Sequence, residues 1–257
     1  MLRDKVVFIT GASSGLGAVI ATEVAKRGAI VILTGRNQQR LNAITQSIVG
    51  ECAAFLLDVT DHNQVEQVVT AVILKYGKID ILVNNAGYGQ FVTMENMPLT
   101  DFSAMMDTNY MGVVRCTKAV LPYMLQQKQG QIINIASMAG KIGTAKSTAY
   151  SATKHAVLGF TNSLRAELRH TGITITAVNP GPISTDFFVQ ADPDGSYVKN
   201  VKWFMMTPEK VARKVVTAML YRRTEIDMPL LAMIGIKLYM LMPRWADRLL
   251  GSMMNKK

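Results

Sequence analysis

Tyr150 and Lys154 stand one helical turn apart in the stretch YSATK (150–154), with only small residues between them. At a spacing of i, i+4 the two side chains share one helix face. A phenol beside an ammonium is a candidate proton-transfer pair. A free phenol titrates near pKa ~10, too high for efficient proton exchange at neutral pH. A cation about 4 Å away at an effective dielectric near 20 contributes roughly 4 kcal/mol. At ~1.4 kcal/mol per unit, that lowers the phenol by up to about three units. One lysine is therefore expected to bring Tyr150 towards neutrality. The same spacing also describes an ordinary half-exposed helix pair, so the surrounding elements have to decide.

A second chemical feature lies near the start. TGASSGLG (10–17) follows an apolar run and precedes a helix-period stretch. Gly11, Gly15 and Gly17 stand where backbone must turn tightly and approach a ligand with no Cβ in the way. Ser13, Ser14 and Leu16 complete the turn, and the helix that follows offers unpaired N–H groups to a pyrophosphate. The spacing is G-x-x-x-G-x-G rather than the commoner G-x-G-x-x-G. The next apolar run, AIVILTGR, ends where a carboxylate would grip the ribose 2′-hydroxyl of NAD. That place holds Gly35, and Arg36 follows. A guanidinium binds a 2′-phosphate that a carboxylate would repel. The cofactor is therefore read as NADP(H).

Positioning such groups takes a rigid frame. Apolar, β-branched runs at 5–10, 29–34, 52–58, 80–86, 131–137 and 173–180 read as strands, with a last strand at 225–229. Stretches 15–28, 37–49, 62–76, 100–127, 148–171 and 207–223 read as helices. The runs do not alternate, as expected of parallel strands buried on both faces. Strand–helix alternation at this spacing means β-α-β units in a doubly wound α/β sheet. The chain reads as a single domain over 1–257, without repeats or a low-complexity linker. Residues 182–207 break the rhythm, and a loop of that length is expected to be a substrate lid.

Composition narrows the class. Hydrophobic residues make up 49% of the 257, ample for a large core. Cys52 and Cys116 lie outside any C-x-x-C spacing, so no disulfide framework is expected and a reducing, cytoplasmic setting is. The opening MLRDKVVFIT enters a strand within a few residues, so no secretory leader is expected. No run approaches the ~20 apolar residues of a spanning helix. His62, His155 and His170 have no ligand spacing, and no metal site is expected. Charge is uneven: residues 1–198 hold 16 Lys and Arg against 14 Asp and Glu, and residues 199–257 hold 12 against 4. A basic C-terminal segment points to an anionic partner. It lacks the aromatic–basic interleaving of a nucleic-acid module, so no nucleic-acid partner is expected.

Taken in order, TGASSGLG (10–17), LDVT (57–60), NNAG (84–87), NYMG (109–112), Ser137, YSATK (150–154) and NPGPIST (179–185) resemble the short-chain dehydrogenase/reductase family, in its NADP(H)-dependent branch. The resemblance implies a Rossmann-like fold with a seven-stranded sheet. It also implies roles: Tyr150 as general acid/base, Lys154 holding the nicotinamide ribose and lowering the tyrosine pKa, Ser137 orienting the carbonyl, and Asn109 anchoring a water in a proton relay. It assigns Asp58 and Val59 to the adenine, and Asn85, Ala86 and Gly87 to the cofactor's flank. Pro180, Gly181, Ile183 and Thr185 fall in the segment that covers the nicotinamide. A homodimer or homotetramer is implied, through helices 100–127 and 148–171. The implied reaction is hydride transfer between NADP(H) and a carbonyl/alcohol pair, with a non-catalytic, membrane-associated NADP(H) scaffold or sensor as the alternative.

The C-terminal part, 229–257, departs from the acyl-carrier reductase branch of that family, whose chains stop soon after a glycine-rich last strand. LLAMIGIKLYMLM (230–242) carries one charge, Lys237. RWADRLLGSMMNKK follows, with Trp245, Leu249 and Met253 on one stripe and Arg244 and Arg248 on another. Two readings stand: a helical extension lying on the inner face of a membrane, or helices that cover the active-site mouth or a neighbouring subunit. Nine of the 17 methionines fall at 205–254, which points to a deformable apolar pocket and a bulky, hydrophobic carbonyl substrate.

Overall fold

Strands that are apolar on both faces have to be covered on both faces. In β1 (Val6–Ile9), Val6 and Phe8 enter one core cluster and Val7 and Ile9 the other, and all four are fully buried. The computed structural model describes residues 2–241. β1 is joined by β2 (Ile30–Gly35), β3 (Cys52–Leu56), β4 (Ile81–Asn84), β5 (Gly130–Ile135), β6 (Ile173–Pro180) and β7 (Glu225–Met228). All pair in parallel, in the order β3-β2-β1-β4-β5-β6-β7. This is a Rossmann-like, doubly wound α/β fold. Strand order reverses between β1 and β4, which opens a crevice beyond their carboxyl ends.

On one face, Val7, Ile9, Val31 and Leu33 pack with Ile20 and Val24 of α1 (Gly15–Ala25), Leu41 of α2 (Gln38–Ser47) and Val211 and Val215 of a late helix. On the other, Val6, Phe8 and Ile32 meet Val65, Val69 and Val72 of α3 (His62–Tyr76). The same cluster takes in Cys116 and Val120 of α5 (Gly112–Gln126) and Leu164 of α6 (Thr148–Glu167), while α4 (Leu99–Met106) buries Met105 in a separate cluster with Met97 and Ala149.

Residues 100–127 read as one helix by periodicity. The structure instead widens to a π-helical turn over Asp107–Met111, between α4 and α5. The extra residue per turn carries Asn109 inward, where it is 1% exposed. Such bulges frequently accompany functional positions. A polar ladder fixes the frame behind it. Asn84 Nδ2 donates to Asn134 Oδ1 (2.8 Å) and Thr117 Oγ1 (3.1 Å), and Asn134 Nδ2 donates to Thr161 Oγ1 (2.9 Å). Hydrogen bonds between fully buried groups are costly to lose, so β4, β5, α5 and α6 are held in one register.

The stretch 182–207 is not an open loop. It folds into α7 (Phe187–Ala191), α8 (Ser196–Val201) and a 3-10 turn (Lys202–Phe204), returning through a bridge between Ile183 and Met206. Its aromatic residues need cover, and short helices turn them onto the sheet's crevice. Next come α9 (Pro208–Tyr221), capped by Thr207 with Pro208 in its first turn, then β7 and α10 (Leu230–Leu241). Among the described residues no helix is long and apolar enough to cross a membrane. The stripe of Trp245, Leu249 and Met253 lies outside the described residues.

Candidate active site

The glycine turn between β1 and α1 is held from the neighbouring strand. Thr10 Oγ1 accepts from the backbone N–H groups of Asn85 (2.9 Å) and Ala86 (3.0 Å), and Asn85 Nδ2 donates to the carbonyls of Thr10 (2.9 Å) and Gly11 (3.1 Å). A Cβ on Gly17 would run into the Gly11 carbonyl and come within 2.5 Å of Asn85 Nδ2. Helix and strand can approach this closely only with glycine there. Ser14 caps α1 with its backbone alone, and no acid occupies the first turn, so that turn favours an anion. Gly17→Ala is expected to weaken NADPH binding by about ten-fold and to lower stability by about 1–3 kcal/mol. Fluorescence titration and a thermal melt check this; wild-type affinity in the variant would refute the close-approach argument.

A cavity of about 720 Å³ opens above this turn. Its wall includes Gly11, Ser13, Ser14, Gly15, Leu16, Arg36, Asp58, Val59, Asn85, Ala86, Gly87, Ser137, Tyr150, Lys154, Pro180, Gly181, Ile183 and Thr185. Candidates from seven separated stretches thus meet at one place. Gly17 and Asn109 stand behind the wall rather than in it. Arg36 is exposed at one end, and Arg40, which the sequence reading missed, lines the cavity with it. The signal for Arg40 was its place in α2's first turn, where the Asn37 cap accepts from its backbone N–H (2.9 Å). Asp58 Oδ1 is engaged by the backbone and hydroxyl of Thr60 (2.9 and 2.8 Å), which squares the loop after β3 against the cavity.

At the other end stand the titratable groups. Ser137 Oγ accepts from Ala139 N (3.1 Å), donates weakly to the Pro180 carbonyl (3.4 Å) and shares a hydrogen bond with the Tyr150 phenol. Lys154 is buried, and its Nζ donates to the Ile135 carbonyl (2.8 Å), 5.7 Å from the Tyr150 ring centroid. Burial pushes Tyr150 up to about 12, opposed by the Ser137 hydrogen bond, and pulls Lys154 down to about 8. The lysine was expected to bring the tyrosine towards neutrality; in this geometry desolvation outweighs it. Two distant segments take part in that burial. Phe91, after β4, meets the Tyr150 ring edge-on at 6.0 Å, and Phe187 of α7 lies 5.7 Å from it. Gly89 makes room for the pair, since a Cβ there would come within 2.7 Å of Phe187 and 3.1 Å of Tyr150.

Asn109 is fully committed. Its Oδ1 accepts from Tyr88 N (2.9 Å), and its Nδ2 donates to the Tyr88 carbonyl (2.8 Å) and to Thr153 Oγ1 (3.1 Å). It ties the loop after β4 to α6, between Tyr150 and Lys154. The rest of the wall was only partly legible beforehand. Phe91, Phe188 and Tyr197 form an aromatic cluster, with Phe91 and Tyr197 centroids 4.5 Å apart and Phe188 stacked on Tyr197 at 5.5 Å. Among the described residues, the methionines of the C-terminal part do not form the pocket expected of them. Met206, Met219, Met228 and Met233 are core residues, Met138 is the one methionine among the described lining residues, and the lining ends at Phe204.

A family model described as short chain dehydrogenase matches residues 5–195. Dehydrogenase/reductase SDR family member 7 of Mus musculus is 35% identical over 260 residues, covering 95% of this chain and 76% of its own. A 3-oxoacyl-[acyl-carrier-protein] reductase of Synechocystis sp. is 37% identical over 217 residues, covering 82% and 87% respectively. The crystal structure of a short-chain dehydrogenase from Streptomyces avermitilis superposes with a TM-score of 0.85 at 27% identity, over 97% of each chain.

Proposed function

The chain belongs to the short-chain dehydrogenase/reductase family, and from that premise we propose that it reduces a hydrophobic ketone or aldehyde with NADPH. The family makes it an oxidoreductase of CH–OH and C=O groups that uses a nicotinamide cofactor. The observation that carries the finer reading is one cavity with Ser137, Tyr150 and Lys154 at one end beside an aromatic wall, and Arg36 and Arg40 at the other. The cradle fits a dinucleotide, since the close approach at Gly17 leaves the turn's backbone open to a pyrophosphate. Gly11, Ser13, Ser14, Gly15 and Leu16 would hold it, Asp58 and Val59 would flank the adenine, and Pro180, Gly181, Ile183 and Thr185 would cover the nicotinamide.

A bound nicotinamide supplies hydride to the carbonyl carbon. Tyr150, held protonated by burial, gives its proton to the carbonyl oxygen, so that hydride and proton together make the alcohol. Ser137 orients that oxygen. The Lys154 charge stabilises the phenolate left behind. The role implied for Asn109, anchoring a water, passes to the main chain of the π-turn, because the side-chain amide is committed to Tyr88 and Thr153. The non-catalytic scaffold reading is disfavoured: three groups of one proton-transfer apparatus converge where binding alone needs none. Assembly as a dimer or tetramer is proposed through α4, α5 and α6.

The test is NADPH oxidation across carbonyls graded from short ketones to polycyclic and long-chain ones. Turnover should rise with apolar size, because Phe91, Phe188 and Tyr197 reward buried apolar surface. Preference for small, polar carbonyls would sink the substrate reading.

A further inference from the structure

A helix that is apolar all round belongs in a core or in lipid. α10 (LLAMIGIKLYML) is close to that kind, with Lys237 as its one charge, yet the described residues cover only one side of it. It packs against β7, with Met233 and Ile236 buried. At about 3.6 residues per turn, Leu230, Leu231, Ile234, Leu238 and Leu241 fall within an arc of about 100°. These five are exposed by 71, 84, 48, 57 and 77%. Large aliphatic side chains on one stripe of a small domain mark a contact surface. The lining of the cavity contains nothing from α9 or α10 among the described residues, so α10 is not a cover for the active-site mouth.

A second exposed apolar element borders the cavity. Trp203 is 85% exposed, with its ring edge-on to Phe204 at 4.8 Å, and Phe204 lines the cavity. Both elements are fastened to the segment that covers the cavity. Met206 N donates to the Pro182 carbonyl (2.9 Å), and Gly181 N donates to the Met228 carbonyl (2.6 Å), one residue before the turn into α10. Exposed lysines stand on both elements, Lys237 on α10 and Lys199 and Lys202 beside Trp203, with Asp194 and Glu209 as exposed acids of the second stretch.

We propose that this face docks on an anionic lipid surface. The leucine arc enters the boundary between headgroups and acyl chains, Trp203 sits at headgroup level, and the lysines meet lipid phosphates. α10 would lie along the surface, because a helix of about 18 Å is too short for a hydrocarbon core of about 30 Å. Charge decides against a second copy as the occupant. A two-fold contact sets a patch against itself, and the exposed lysines here, Lys237 on α10 and Lys199 and Lys202 beside Trp203, would then face their own copies. On an anionic leaflet the same charges attract. The consequence, that an apolar substrate reaches the cavity past Phe204 directly from the bilayer, rests on the proposed function; the docking itself does not.

Cosedimentation of the full chain with phosphatidylcholine vesicles, with and without phosphatidylglycerol, tests the docking without any need for turnover. Binding should be about ten-fold or more tighter on the anionic vesicles, since each surface lysine acts in the same sense, and it should weaken with salt. The variant Leu231→Glu/Leu238→Glu should lose vesicle binding while keeping the wild-type melting temperature and NADPH affinity, because both side chains are exposed. Wild-type protein that stays in the supernatant at every composition would overturn the proposal. So would a variant that binds as well as wild type. A dimer seen by light scattering, dissolved by the same variant and indifferent to vesicles, would overturn it in favour of a second copy.

Discussion

Replacing Tyr150 by phenylalanine is expected to lower kcat for carbonyl reduction by about 10²–10⁴-fold, the usual worth of a positioned proton donor. The ring contacts with Phe91 and Phe187 survive the change, and only the hydroxyl shared with Ser137 is removed. Melting temperature and NADPH affinity should therefore remain those of the wild type. The pH profile separates this role from a merely structural one. The phenol, pushed up to about 12 by burial, keeps its proton throughout the ordinary range. Lys154, pulled down to about 8, is charged below that pH and neutral above it. Because the lysine pKa is lowered, its charge is present at neutral pH and lost as pH rises. kcat/KM for reduction, which reports the free enzyme, should be level below about pH 7.5 and fall as pH passes about 8. A variant that retains more than about a tenth of wild-type kcat would place the proton donor elsewhere.

Arg36→Asp is expected to turn the cofactor preference round. Loss of one charge-assisted hydrogen bond to a 2′-phosphate raises the KM for NADPH by roughly ten-fold. The new carboxylate repels the phosphate and offers the ribose hydroxyls of NADH an acceptor. Arg36 is exposed, so the effect should shrink as ionic strength rises. Arg40 lines the same end of the cavity and should hold part of the NADPH affinity until it too is replaced. Steady-state kinetics with both cofactors measure the ratio. If the NADPH-to-NADH preference of Arg36→Asp equals that of the wild type, the 2′-phosphate is recognised by other groups.

Much of the frame was written locally. Strands buried on both faces have to be continuously apolar, so β1 and β2 announced parallel strands, and their alternation with helix-period stretches announced the doubly wound sheet. Close approach at Gly17 excludes any side chain, so the turn that carries it was visible as glycine spacing. Tyr150 and Lys154 were visible as a pair because one helical turn sets their separation. Arg36 was visible because it follows directly on the end of β2.

What the chain could not display locally is whatever depends on segments far apart. The sign of the Tyr150 shift is the clearest case. Spacing along α6 counted one nearby cation, whereas the folded protein brings Phe91 and Phe187 from two distant segments and removes the water that would solvate a phenolate. The π-turn at Asn109 follows from hydrogen bonds to Tyr88 and Thr153, not from periodicity, which read the whole stretch as one helix. Residues 182–207 looked like a loop because their order comes from folding back onto the crevice. Residues 230–242 left open a helix on a membrane or one covering the active-site mouth or a subunit, and only packing against β7 decided which side of α10 is covered. Sequence by itself therefore determined the architecture and the chemical groups, since periodicity and local spacing encode them. The tertiary structure alone decided which of those groups are desolvated and which apolar face is left open, because burial is a property of neighbours that the chain brings together from a distance.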